Sequence, residues 1–214
     1  MFSFCIIIHE FGHVFTALYF KWNIKKIIIL PFGGLTIFDE LLNRPIKEEF
    51  FIALMGPLFQ FVIYFIFILF KINSIDYTLI NKVILFINLL PIIPLDGAKI
   101  IRLICDYLFS LNISLNINLI ISFLFLFLLL IYNYNNFYVI LMCIFLFKEN
   151  IKQYINRKMY FNKFLIERAL YNFNFKKIRY IYNIKKIKRD YYHMIYDGKK
   201  YIKESNFLLK KFDL

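Results

Sequence analysis

The 214-residue chain is 61% apolar and only 19% charged, with 28 Phe and 16 Tyr. That composition excludes a disordered polypeptide and is too apolar for an ordinary soluble domain. Of the formal net charge of +13, residues 148–214 hold +12 (18 Lys+Arg against 6 Asp+Glu), so the chain divides into an apolar body, 1–147, and a basic tail, 148–214. The three cysteines, Cys5, Cys105 and Cys143, are too few and too widely spaced for a disulfide framework or a cysteine zinc cluster.

In chain order, the first apolar stretch is Phe2–Phe20, which no basic leader precedes, so it does not read as a cleaved signal peptide. Its abrupt start at Met1 predicts a further span upstream of this chain. Ile27–Phe38 follows, with β-branched residues around Pro31 and the pair Gly33-Gly34; this is a hairpin signal. A re-entrant hairpin and an interfacial loop fit it equally well. Phe50–Phe70, Leu79–Leu95, Asn118–Tyr132 and the shorter Phe137–Phe147 complete about five predicted spans. The expected class is an all-α polytopic membrane protein of about five transmembrane helices, with a re-entrant hairpin and a small basic α/β tail.

Charge sets the orientation. With the tail in the cytoplasm, Lys21, Lys25, Lys26, Arg44, Lys47, Lys99 and Arg102 lie there too, and only Lys71 and Lys82 lie near the outer face. The expected location is therefore the cell membrane, multi-pass, with the tail cytoplasmic. In the tail, alternation at Ile178, Tyr180 and Tyr182 and the Asp197-Gly198 turn between Tyr191–Tyr196 and Lys199–Lys203 predict a small β-containing module. Basic residues interleaved with tyrosines fit nucleic acid, but attraction to anionic lipid explains them more simply, and no nucleic-acid partner is expected.

Two of the three histidines stand in His9-Glu10-Phe11-Gly12-His13. On a helix, positions i and i+4 share a face, so both imidazoles can reach one metal ion, and Glu10 is placed to take a proton from water on that metal. Such groups in an apolar helix are costly unless paired or metal-bound; hydrogen bonding between helices is the plainer alternative. Zinc with two His needs at least one further protein ligand. Asp39, Glu40, Glu48 and Glu49 fall in a charged stretch expected to be a solvated loop, Asp76 on the opposite face, and Asp106 after an amphipathic stretch where exposure is expected. Asp96 ends an apolar run in Pro94-Leu95-Asp96-Gly97, either as a turn or N-cap residue or facing the same membrane half as His13. Pro91 and Pro94 break the helix before it and free backbone groups to line a cavity.

His9-Glu10-Phe11-Gly12-His13, Leu30-Pro31-Phe32-Gly33-Gly34, Met55-Gly56-Pro57-Leu58 and Asn88-Leu-Leu-Pro91-Ile-Ile-Pro94-Leu-Asp96-Gly97 together resemble the site-2 proteases, intramembrane zinc metalloproteases, and within them the stage IV sporulation protein FB-like branch. The resemblance covers about residues 3–105. It implies one zinc ion on His9, His13 and Asp96, with Glu10 as general base and acid. It also implies that Asn88 contacts substrate or the developing oxyanion, although an interhelical hydrogen bond would serve that residue as well. Gly33 and Gly34 belong to a hairpin whose edge offers strand addition to an extended substrate. Implied partners are the lipid bilayer, a membrane-associated sigma-factor precursor as substrate, and inhibitory membrane subunits. Gln60 stands where relatives often have Asn, and Ala98 where a second Gly is common. The tail is too short and basic for the nucleotide-binding regulatory domain frequent in that branch. A metal or ion transporter, or a non-catalytic homologue that binds membrane partners, is the rival reading.

Overall fold

The computed structural model describes residues 2–30, 33–70 and 75–212. The elements run α1 (Phe2–Tyr19), β1 (Ile24–Leu30), β2 (Gly33–Phe38), α2 (Ile46–Leu69), α3 (Ile75–Leu89), α4 (Asp96–Leu108), α5 (Leu111–Tyr132), α6 (Phe137–Leu170), β3 (Lys177–Ile181), β4 (Tyr191–Tyr196), β5 (Tyr201–Lys203) and α7 (Glu204–Phe212). The fold is mostly helical. Pro31 and Phe32 of the sequence-predicted hairpin, and residues 71–74 with Lys71, lie outside the described residues.

Each predicted apolar stretch contains a helix, with shifted bounds. α2 begins four residues before Phe50, α5 begins seven before Asn118, and α6 continues from Phe137 well into the basic segment. α3 stops at Leu89 rather than Leu95, because Pro91 and Pro94 cannot extend it. α2 and α5 are long and apolar enough to cross a membrane, at 24 and 22 residues, whereas Ser3–Tyr19 and Tyr77–Leu89 are shorter apolar helices. At 1.5 Å per residue, α2 spans about 36 Å, more than a hydrocarbon layer of about 30 Å. Outward faces carry Phe11, Phe15, Phe61, Phe65, Ile120 and Phe127, all exposed. A contiguous apolar surface of this kind is what lipid would cover.

β1 and β2 form the expected antiparallel hairpin, with Leu30 opposite Gly33 and Ile28 opposite Leu35. Between α3 and α4 the broken segment is held by side chains from two other helices. Ser122 Oγ accepts from the Ile93 N–H (2.8 Å) and donates to Asn150 Oδ1 (2.5 Å). Asn150 Nδ2 donates in turn to the carbonyls of Ile93 (3.2 Å) and Leu146 (2.8 Å). The peptide groups freed by the two prolines thus regain partners, as buried backbone must. This fixes the run that leads into Asp96.

The basic segment is packed against the body. β3 pairs in parallel with β4, β4 pairs antiparallel with β5, and Gly198 (φ +84°) forms the turn between the latter two. Ile187, Ile195 and Leu208 are fully buried with Phe164, Leu165, Leu111 and Leu115, which joins this sheet to α6 and to the start of α5. Full burial of such a side chain is worth roughly 1.5–3 kcal/mol.

Two sequence expectations fail here. Asp106 is fully buried rather than exposed, and Glu49, in the first turn of α2 rather than a solvated loop, is largely enclosed. The reason is Arg189, itself 2% exposed, whose Nη1 donates to Asp106 Oδ2 (3.0 Å) and Glu49 Oε2 (2.8 Å), while Nη2 donates to the Arg44 carbonyl (2.9 Å). Arg102 also pairs with Glu49 and donates to Tyr160 Oη (3.1 Å). Burial alone would lower the pKa of Arg189, but Glu49 and Asp106 outweigh it and raise that pKa above the ordinary arginine range. Replacing Arg189 by Met leaves two enclosed carboxylates without their shared cation. The expected loss is about 3–5 kcal/mol of stability, read as a lower unfolding midpoint in detergent; an unchanged midpoint would show that this cluster does not hold the tail to the body.

Candidate metal centre

α1 places His9, Glu10 and His13 within five residues, and His9 and His13 lie on the face packed against α2. That packing is close because two glycines allow it. A Cβ on Gly12 would lie 2.3 Å from the Met55 carbonyl oxygen, and one on Gly56 would lie 2.2 Å from His13 Nε2.

Both imidazoles are oriented by acceptors on α2. His9 donates its Nδ1–H to Gln60 Oε1 (3.0 Å), and His13 donates its Nδ1–H to the Ile52 carbonyl (2.7 Å). The Gln60 amide is itself fixed, since its Nε2 donates to the backbone carbonyl and to Oδ1 of Asn81, each at 3.1 Å. With Nδ1 of each ring carrying the proton, each neutral ring has an Nε2 lone pair directed elsewhere.

Those lone pairs converge with a carboxylate. His9 Nε2 and His13 Nε2 are 3.1 Å apart, and Asp96 Oδ2 lies 2.8 Å from the first and 3.0 Å from the second. All three residues are buried. Three acceptor atoms at such distances repel one another unless a proton or a metal ion lies among them. Ligands about 2.0–2.2 Å from a tetrahedral zinc ion are spaced roughly 3.3 Å apart, so the triangle is close to the face such an ion requires. The His9–His13–Asp96 group therefore has the donor set and spacing to bind a metal ion.

The N-cap role open to Asp96 falls to Leu95. Asp96 is the first residue of α4, and its carboxylate serves the histidines through Oδ2 and Lys99 Nζ (2.9 Å) through Oδ1. Glu10 is buried, and its Oε2 accepts a hydrogen bond from Thr36 Oγ1 on β2 (2.5 Å). A Cβ on Gly34 would lie 2.3 Å from Glu10 Oε1, so the hairpin presents bare main chain to this carboxylate. Gly33 pairs with Leu30 at the hairpin end. Asn88 is buried, its Nδ2 has no partner among the described residues, and it does not line the cavity beside His13. That cavity, about 240 Å³, is bordered by His13, Thr36, Ile93, Pro94, Lys99 and Asn118 among others. Sequence reasoning missed Gln60 as the residue that orients His9. Its signal was the one polar side chain in the otherwise apolar Phe50–Phe70 stretch.

Residues 1–83 match the family model described as Peptidase family M50. Over those residues this amino-terminal segment is similar to that family. It contains His9, Glu10, His13, the hairpin and Gln60, whereas Asp96 lies beyond it. The chain is 42% identical over 106 residues to stage IV sporulation protein FB of Bacillus subtilis, covering 46% of this chain and 37% of that protein. It is 32% identical over 123 residues to a zinc metalloprotease of Methanocaldococcus jannaschii, covering 51% and 35%. The matches thus span little more than a third of the length of these curated relatives. Among solved structures, the site-2 protease of Methanocaldococcus jannaschii superposes with a TM-score of 0.58 at 25% identity, over 71% of this chain and 74% of that one. The resemblance to the site-2 proteases in the motifs thus extends to sequence and fold.

Within the segment that matches this family, Gln60→Leu removes the acceptor that fixes the His9 tautomer. The expected outcome is a roughly 10–100-fold weaker zinc affinity, measured by competition with a chelator. Unchanged affinity would mean that the Gln60 contact does not orient a ligand.

Proposed function

We propose that the chain is an intramembrane zinc metalloprotease, with one zinc ion on His9, His13 and Asp96 and with Glu10 as general base and acid. The observation that carries this reading is the meeting of His9 Nε2, His13 Nε2 and Asp96 Oδ2 within 3.1 Å, with Glu10 on the same helix. Zinc there would supply a Lewis acid that polarises a scissile carbonyl and lowers the pKa of a bound water toward about 7. Glu10 takes the proton of the attacking water and passes it to the leaving amine. Thr36 holds the Glu10 carboxylate in one orientation, and Gly34 keeps the hairpin close against it. β2 has no second strand partner among the described residues, so its free edge, with Gly33 and Gly34, suits an extended peptide. Asn88 is a further candidate for contact with substrate or with the developing oxyanion. The transporter reading is weaker because polar groups of the later helices, such as Ser122 and Asn150, are engaged in holding Ile93.

In this reading the apolar body spans the bilayer with about five helices, the hairpin re-enters from the cytoplasmic side, and the tail is cytoplasmic. Residues 1–147 carry the chemistry, and residues 148–214 form a module beside the membrane that docks on anionic lipid or on an acidic part of the substrate. Similarity to stage IV sporulation protein FB supports a membrane-associated sigma-factor precursor as substrate and inhibitory membrane subunits as regulators.

Glu10→Gln is expected to abolish peptide cleavage while one zinc per chain remains, and Asp96→Ala to lose both activity and metal. Elemental analysis beside a cleavage assay separates the two. A Glu10→Gln protein without zinc would make Glu10 a ligand, and an Asp96→Ala protein with full zinc affinity would move the third ligand elsewhere. Thiol labelling of introduced cysteines is expected to find residues 21–49 and the tail on the cytoplasmic side and residues 71–77 outside; an outward tail would overturn the topology.

A further inference from the structure

Along α5, Ser114, Asn118 and Ser122 recur every fourth residue on the buried face of a helix otherwise rich in Leu, Ile and Phe. All three side chains are buried. The two serines are fully engaged with neighbouring elements. Ser114 Oγ donates to the Arg102 carbonyl (3.1 Å), and Ser122 joins the Ile93 peptide to Asn150. Asn118 differs. It is 4% exposed, its Oδ1 has no hydrogen-bond partner, and the residue lines the cavity that also contains His13, Thr36 and Lys99. A bare carbonyl oxygen in an apolar span is unfavourable, and a leucine would suit the helix better unless something in the cavity satisfies the oxygen.

We infer that Asn118 is a substrate-positioning residue whose side-chain oxygen accepts a main-chain N–H of an extended peptide lying in this cavity. This rests on the protease reading and deepens it. The chemistry favours main chain over side chain as the partner. A helical substrate segment hides its N–H groups in its own hydrogen bonds, whereas an extended one presents them at every second residue to each side. β2 forms part of the cavity wall through Thr36 and Phe38, and α5 contributes Asn118. A peptide added along the β2 edge would have one row of polar groups taken by the hairpin and the other row facing away from it, where an acceptor on a neighbouring helix is needed. Asn118 therefore selects for the unwound state of a substrate and is indifferent to its side chains.

The test uses the full chain in detergent with a transmembrane peptide that the wild-type protein cleaves. Asn118→Leu is expected to raise KM about tenfold, the size of one lost hydrogen bond, with kcat within about twofold and one zinc per chain retained. Asn118→Asp keeps an acceptor oxygen and is expected to restore KM to near the wild-type value. Peptides methylated at single backbone nitrogens identify the donor. At one position methylation should raise the wild-type KM by a similar factor and have no further effect in Asn118→Leu, a coupling that a structural role would not produce. If Asn118→Leu does not fold, Asn118→Ser, which withdraws the oxygen, carries the same cycle. A protein that cleaves no peptide at all contradicts the protease reading itself. Normal cleavage with an unchanged KM in Asn118→Leu, or methylation effects that add at every position, overturns the Asn118 assignment alone.

Discussion

Three acceptor atoms from two helices, with their sequence positions more than 80 residues apart, lie within 3.1 Å of one another in a site shielded from solvent. Without a proton or a metal ion among them this arrangement is repulsive, and much of the surrounding fold serves to impose it. α2 supplies the acceptors that turn both imidazoles, and Gly12 and Gly56 let the helices approach closely enough for those contacts. Asp96 reaches the site because α3 stops at Leu89 and α4 restarts at Asp96, with the intervening Ile93 peptide clasped by Ser122 and Asn150. Helices remote in sequence from the histidines thus position Asp96.

α4 connects this site to the tail. Asp96, Lys99, Arg102 and Asp106 fall on one side of the helix, a charged stripe that would be out of place against lipid. Asp96 and Lys99 pair at the end beside the histidines. Arg102 and Asp106 enter the cluster with Glu49 and Arg189, and Arg189 belongs to the basic segment. Glu49, Lys99 and Arg102 also line the cavity beside His13. The tail's charge is therefore of two kinds. Lys176, Lys177, Arg179, Lys185 and Lys186 are exposed and available to a membrane surface or an acidic partner, whereas Arg168 and Arg189 are buried as ties within the protein. Arg168 binds Glu204 (3.1 Å) and the Asn43 side chain (2.7 Å), which anchors the entry to α2.

Local patterns made the helices, the hairpin and the pair His9 and His13 legible in the sequence, because periodicity, turn residues and i,i+4 spacing act over a few residues. Asp96 was legible as a candidate ligand only through its motif, since its local pattern fits a turn equally well. What escaped were contacts between distant positions. Asp106 and Glu49 look like exposed acids until Arg189 is brought to them. Gln60 looks like a mild substitution until it is seen to hold His9. Ser122 and Asn150 read as ordinary polar residues in apolar helices, and their role depends on where Pro91 and Pro94 open the backbone. Charge counting located the basic excess in residues 148–214, but it could not separate Arg168 and Arg189, which pair internally, from the basic residues that face outward.

X-ray absorption at the zinc edge of the purified, zinc-loaded protein tests the central claim most directly. The account predicts one zinc per chain with two imidazole nitrogens at about 2.0–2.1 Å, the remaining ligands being oxygen, and loss of both imidazole contributions when His9 and His13 are replaced together. A sulfur ligand at about 2.3 Å, or an unchanged spectrum in that double variant, would contradict it.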